Sequence, residues 1–227
     1  MTERPLALVT GASRGIGAAI VRAFAPTHRL LLAGRDTDRL ATEAAGLPDA
    51  DVWPLDLIDL DAVADTADRV ERLDVLVHSA GIAAIGSISG SEPAAWQRNF
   101  ELNVLAPVAL TRALLPALRT ARGHVVIINS GQGINAGAGW GPYAASKFAA
   151  RAFADVLRAE EPDLRVTSVF PGRTDTEMQQ AVVATEGGTY DPREYLRPES
   201  VAAAAFSAVT AGPDAHQTDI VIRQRPH

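Results

Sequence analysis

Apolar residues come in short continuous runs: Leu6 to Thr10, Arg29 to Ala33, Asp51 to Leu55, Val75 to His78, His124 to Asn129, Arg165 to Phe170 and Asp219 to Ile222. Continuous rather than alternating apolar character is what strands buried on both faces of a parallel sheet require. Helical patterns separate the runs, near 15–25, 37–45, 59–72, 92–119, 142–161 and 198–211. Asp36-Thr37 offers a polar N-cap, and Ser91-Glu92-Pro93 supplies a cap with proline in the first turn. Pro107 lies inside the long fourth pattern and is expected to kink or divide it near Asn103. Strand and helix alternate throughout, which predicts one α/β domain over residues 1–227, built on a doubly wound parallel sheet. The segment 177–198 holds Gly187, Gly188 and two prolines. It reads as the longest irregular stretch and, by its length, as a substrate loop.

Composition narrows the class. At 227 residues, 47% hydrophobic and 21% charged, the chain can bury a substantial core. A net charge of -6 argues against nucleic acid or an anionic membrane as partner. The absence of cysteine excludes disulfides and thiolate metal sites. His28, His78, His124, His216 and His227 are scattered without ligand spacing, so no metal site is expected. Met1 to Pro5 run into the first strand without a signal-peptide pattern, and no uninterrupted apolar stretch approaches the ~18–20 residues of a bilayer span. A cytoplasmic protein is expected.

Thr10-Gly11-Ala12-Ser13-Arg14-Gly15-Ile16-Gly17 closes the first strand and opens the first helix. Glycines allow a tight turn and close backbone approach, and a helix N-terminus offers free N–H groups and a positive dipole end. Gly11, Ser13, Arg14, Gly15, Ile16 and Gly17 are thus expected to cradle a dinucleotide pyrophosphate in a Rossmann-like site. The spacing is Gly-x-x-x-Gly-x-Gly, and a glycine triplet alone also fits an ordinary turn; its place between strand and helix gives it weight. The second strand ends in Ala33-Gly34-Arg35-Asp36. An acid roughly 20 residues past the turn selects NAD through the ribose 2′-OH, and Asp36 meets that count. Gly34 leaves space, however, and Arg35 with Arg14 can bracket a 2′-phosphate while Asp36 caps the helix. NADP is therefore the expected cofactor, with NAD less favoured. Asp56 and Leu57, after the third strand, are candidates to hydrogen-bond and cover the adenine. Ser79, Ala80 and Gly81, after the fourth, allow backbone to approach the cofactor.

Of 21 basic residues, Lys147 is the only lysine. A compact ammonium with three rotatable donors does what a planar guanidinium cannot. Lys147 follows Tyr143 by four residues, so the two share a helix face, and Ser130 lies thirteen before Tyr143 at the end of the fifth strand. Asn103 sits at the expected break in the preceding long helix. Moving hydride at a carbinol carbon requires a proton to move on its oxygen. A free phenol, with pKa about 10, is a poor base near neutrality. The nearby ammonium, together with an oxidised nicotinamide, is expected to favour the phenolate and make Tyr143 more acidic. Ser130 would polarise the substrate oxygen, and Asn103 would hold a water linking Lys147 to solvent.

These motifs, in this order and spacing, resemble the short-chain dehydrogenase/reductase family over nearly the whole chain. Thr10 to Gly17 matches its glycine turn. Ser130, Tyr143 and Lys147 match its catalytic core, with Asn103 at the fourth position. Pro171-Gly172-Arg173-Thr174-Asp175-Thr176 resembles its nicotinamide-proximal segment, and by that likeness Thr176 contacts the carboxamide with the Thr174 backbone close by. The chain departs from the family's usual Asn-Asn-Ala-Gly, with His78 and Ser79 ahead of Ala80 and Gly81. The resemblance implies NADP-dependent transfer of hydride between the cofactor and a carbonyl or secondary alcohol of a small organic substrate. It also implies a homodimer or homotetramer formed through the helices at 92–119 and 142–161. The alternatives are a nucleotide sensor without turnover, and an epimerase or dehydratase on the same scaffold.

Overall fold

The computed structural model describes residues 4–66 and 69–225. Strands β1 (Leu6–Thr10), β2 (Arg29–Gly34), β3 (Ala50–Pro54), β4 (Val75–His78), β5 (His124–Ile128), β6 (Arg165–Pro171) and β7 (Asp219–Ile222) form one sheet in the order β3-β2-β1-β4-β5-β6-β7. Every pairing is parallel. Helices α1 (Gly15–Phe24), α2 (Thr37–Ala45), α3 (Leu60–Ala64), α4 (Pro93–Phe100), α5 (Ala106–Ala121), α6 (Gly141–Glu160), α7 (Glu177–Thr185) and α8 (Pro198–Val209) connect the strands. This is a single Rossmann-like domain, and the strand ends fall within one residue of the expected ones.

Successive strand residues feed opposite faces of the sheet. Leu8, Leu76 and Val125 join Leu110, Leu114 and Leu157 in one core. Their neighbours Val9, Val77 and Val126 join Ile20, Phe24, Val201 and Val209 in the other. Both faces are therefore dry, which is why the strand runs are continuously apolar. Leu110 and Leu114 are fully buried, and truncating either to alanine should cost about 2–5 kcal/mol.

Three elements differ from expectation. The helix expected over 59–72 closes after Ala64; Thr66 donates its hydroxyl to the Val63 carbonyl (2.6 Å), and the chain then turns Val70 and Leu73 into the core. Residues 67 and 68 of that expected helix, like His227, lie outside the described residues. The segment 177–198 is not simply irregular: α7 occupies its first half, capped by Thr176, which accepts from Gln179 N–H (3.1 Å). Finally, Pro93–Ala121 runs as a continuous helix of 29 residues holding an 18-residue stretch of mean hydropathy 1.3, long and apolar enough by length and composition to cross a membrane. The sequence expectation missed this, because polar residues interrupt the run. Its inner face, with Leu110, Leu114 and Leu118 buried against the sheet, has the packing of a core helix. The expected break is present as a π-helical turn, Glu101–Leu105, between α4 and α5.

Candidate active site

The turn from β1 into α1 uses left-handed backbone at Gly11 (φ 67°) and Gly15 (φ 55°), where a side chain would be strained. Space is tighter still at Gly17, where a Cβ would lie 2.1 Å from the Gly11 carbonyl oxygen. No side chain caps the N-terminus of α1, so its first-turn donors meet no competing acceptor. Such a cradle fits a pyrophosphate. Sequence reasoning overlooked Thr10 as a brace: its hydroxyl accepts from the N–H groups of Ser79 and Ala80 (3.1 Å each) and donates to the Val77 carbonyl (3.3 Å). The β1 and β4 ends are thereby stitched together beneath the turn.

Arg35 is exposed beyond β2. Asp36 caps α2 as expected, accepting from Arg39 N–H (3.1 Å). Arg39 itself went unnoticed in the sequence, since i+3 from a cap is a position any helix fills. Its guanidinium pairs with Asp36 (3.4 Å) and with Glu177 (3.1 Å), and Glu177 also pairs with Arg14. The first residue of α7 thus reaches to the rim of the glycine turn. The hydrogen bond from Arg14, with Arg39 adding to it, holds the Glu177 carboxyl below its ordinary range. Asp56 turns inward to its own loop, accepting from Ile58 N–H (3.2 Å), and Leu57 is buried.

Two strand positions away, the other group of expected residues converges. Tyr143 and Lys147 lie one turn apart on α6, both buried, with Lys147 Nζ 5.7 Å from the Tyr143 ring centre. Nζ donates to the Ile128 carbonyl at the end of β5 (3.1 Å). Burial pushes the ammonium down to about 8. The same burial pushes the Tyr143 phenol up, with a hydrogen bond to Ser130 acting in the opposite sense. In the protein by itself, burial outweighs the Ser130 hydrogen bond; the expected acidification also draws on an oxidised nicotinamide beside the ring. Asn129, also unnoticed in the sequence, fixes the cluster by donating to the Lys147 carbonyl (3.1 Å) and accepting from Ser130 N–H (2.8 Å).

Asn103 occupies the middle of the π turn. Its carboxamide accepts from Ile82 N–H and donates to the Ile82 carbonyl and Ser146 hydroxyl, each at 3.0 Å. Pro107, four residues on, has no N–H to return to the Asn103 carbonyl. Gly81 brings the backbone close to both groups: a Cβ there would lie 3.0 Å from Asn103 Oδ1, a tight contact, and 3.8 Å from Lys147 Nζ.

A cleft of about 460 Å³ joins these parts. It is lined by Ser130, Tyr143 and Lys147, and by the expected Ile16, Ser79, Gly81, Pro171, Gly172, Thr174 and Thr176. Arg35, Asp56 and Leu57 stand outside its lining, off the ends of β2 and β3. Thr174 donates to the Gly172 carbonyl (3.0 Å) and Thr176 to the Thr174 carbonyl (3.2 Å), while the Thr176 methyl faces Gly15. Trp140 packs against Tyr143 with ring centres 5.8 Å apart, and Met178, Gln179, Val182 and Glu186 contribute a wall from the α7 segment. No cluster of metal-ligating side chains occurs among the described residues.

A doubly wound sheet with a glycine turn after β1 and a Ser-Tyr-Lys group after β5 defines a dinucleotide-dependent oxidoreductase class. Residues 5–187 match the model of the short chain dehydrogenase family, and the chain belongs to the short-chain dehydrogenase/reductase family. Dehydrogenase/reductase SDR family member 7B of Bos taurus is 38% identical over 201 residues, which cover 81% of this chain and 62% of that protein. The chain thus spans somewhat under two thirds of that relative's length. The uncharacterized oxidoreductase YciK of Escherichia coli is 32% identical, covering 86% of this chain and 81% of that one. Among solved structures, an alcohol dehydrogenase from Thermococcus sibiricus complexed with 5-hydroxy-NADP superposes with TM-score 0.89 at 28% identity, covering 99% of this chain and 100% of that chain. A short chain dehydrogenase from Burkholderia cenocepacia in complex with NADP gives TM-score 0.82 at 26% identity, covering 96% and 88%.

Proposed function

We propose that the protein is an NADP(H)-dependent carbonyl reductase or alcohol dehydrogenase acting on a small organic substrate, in a cytoplasmic setting suited to a chain without cysteine. The observation that carries this reading is the burial of Tyr143 beside Ser130 and Lys147 in the cleft that the glycine turn opens. NADP is favoured because Arg35 stands exposed just beyond β2, and Arg14 and Arg39, joined through Glu177, supply two more cations near the glycine turn. Asp36, the acid that would serve NAD, is already committed to capping α2 and to Arg39. Neighbouring structures that carry NADP add support.

When bound, the dinucleotide supplies or takes up the hydride. In the reducing direction the Tyr143 phenol gives its proton to the carbonyl oxygen as that oxygen becomes an alcohol, and in the reverse direction it takes that proton back. Ser130 donates a hydrogen bond to the same oxygen and orients it. Lys147 then restores the phenolic proton, drawing on a water that Asn103 would hold. In this reading the α7 segment, 177–198, closes over the substrate, and Trp140 forms its apolar floor. Leu105, Val108, Phe148 and Val156 stand exposed on α5, α6 and the π turn between α4 and α5, which supports a homodimer or homotetramer assembled through those helices.

The test is steady-state oxidation of NADPH across a panel of ketones and aldehydes, with Tyr143→Phe as control. Turnover that vanishes in the variant while NADPH binding persists is expected. Tight NADPH binding with no turnover of any carbonyl would instead make the protein a nucleotide sensor.

A further inference from the structure

The charged residues lining the cleft are three cations, Lys147, Arg173 and Arg223, and one carboxylate, Glu186. Two of the cations are committed. Lys147 belongs to the proton path. Arg173 pairs with Glu186 and stacks on Trp140 and Tyr195, 5.9 and 5.8 Å from their ring centres, so it works as a strut between the α7 segment and the floor. Arg223, just past the end of β7, has no ion pair among the described residues.

Its geometry is that of a held but unspent guanidinium. Nη1 donates to the Phe170 carbonyl (2.9 Å) and the Ile222 carbonyl (3.0 Å), which fixes the plane of the group. The other edge, Nε and Nη2, makes no hydrogen bond among the described residues, and it is the edge that grips a carboxylate through two parallel bonds. Nη2 points over Gly131, where a Cβ would sit 3.2 Å from it. A Cβ there would also lie 3.4 Å from Cζ and 3.5 Å from Nη1, so the guanidinium packs over Gly131, and since Gly131 follows Ser130, it lines the cleft beside the residue that would hold the reacting carbonyl. The cofactor phosphates are a poor explanation for this cation. Gly131 follows β5, which lies two strand intervals from β1 and its glycine turn, or about 10 Å at the usual spacing.

We propose that Arg223 is the substrate-recognition residue for a carboxylate, and that the preferred substrates are short oxo acids and the hydroxy acids they form. The carbonyl sits at Ser130 and Tyr143, the carboxylate a few bonds away on the Nε/Nη2 edge of Arg223, and the carbon chain against Trp140, Met178 and Val182. This rests on the oxidoreductase reading above and narrows its substrate class.

The experiment compares acetoacetate and levulinate with their ethyl esters as substrates for NADPH oxidation. The acids should exceed the esters in kcat/KM by at least tenfold. In Arg223→Gln the acid-to-ester ratio should fall at least tenfold, carried by KM for the acids, and Arg223→Lys should keep part of it. Because the ratio is taken within each variant, a loss of folded protein cancels. Gly131→Ala, which places a methyl group over Nη2, should lower the same ratio. Esters used as well as acids by the unmodified protein, or a ratio that survives Arg223→Gln, would overturn the assignment and leave the oxidoreductase reading standing. Failure to turn over any of the four, in a protein that also rejects the wider ketone and aldehyde panel, would remove both.

Discussion

Around Tyr143 the side chains are buried, the phenol, Lys147, Asn103 and Ser146 alike. Around Arg14, Arg39 and Glu177 the charges stand half in solvent, with side-chain exposures of 61%, 51% and 52%. Both regions are polar, yet the consequences differ. In the dry group one burial moves two ionisations in opposite directions, phenol up and ammonium down. At the rim, three charges rearrange at small cost, because exposed ion pairs are worth only about 0–1 kcal/mol. The proposed proton chemistry lies in the buried group, and the proposed selection between cofactors lies at the rim, where charges can exchange partners.

The sharpest way to break the contrast is Tyr143→Phe, which keeps the ring and removes the proton. A loss in kcat of about 10²–10⁴-fold is expected, the range for general acid–base groups, with NADPH affinity retained; fluorescence titration of the bound cofactor beside initial rates checks it. Gly81→Ala presses a methyl group on the Asn103 carboxamide and should cost about tenfold in kcat, the scale of ~1.4 kcal/mol, with a lowered melting temperature.

Lys147→Met tests the cost of the dry site. The folded ammonium titrates near 8 and an unfolded lysine near 10.4, so the folded state holds fewer protons between those values. The burden of the buried charge is therefore fully present below pH 8 and relieved as pH rises through that window. The variant should lose most activity, yet melt a few degrees higher than the parent at pH 7, an advantage that shrinks towards pH 10 in calorimetric scans. In the parent, the rate of carbonyl reduction should fall above pH 8, as Lys147 loses its proton.

At the rim the effects are smaller. Arg35→Ala and Arg39→Ala should each reduce the NADP-over-NAD preference in kcat/KM several-fold, with unfolding midpoints unmoved. If neither shifts the ratio, the rim does not select the cofactor. Smallest of all, Glu177→Gln frees Arg14 and Arg39 and should tighten NADPH binding two- to fivefold at low salt, an effect that added salt erases.

The same contrast explains what the sequence made legible. Strands and the Ser130, Tyr143 and Lys147 group were readable because each depends on local spacing: runs of apolar residues, or residues one turn apart on α6. Residues that act through tertiary proximity left no such mark. Arg39 and Glu177 meet only because α7 folds back to the glycine turn, and Arg223 reaches Gly131 only because β7 lies beside β6. Thr10 and Asn129 look like ordinary strand ends until their bonds to Ser79, Ala80 and Lys147 are seen. The helical character of α7 was hidden by the glycines and prolines that follow it. The direction of the Tyr143 shift was also out of reach, because spacing reports which charge is near and not how dry the site is.

A chain with one lysine invites a practical use. Apart from its α-amino group, an acylating reagent finds a single primary amine, and that amine sits in the catalytic cleft with a substantial uncharged fraction at mildly alkaline pH. Reagents that coat most enzymes at random should here behave as slow active-site titrants. One equivalent incorporated at Lys147, counted apart from the α-amino group, would report one functional centre, and occupancy of the cleft would show as protection of that lysine from labelling.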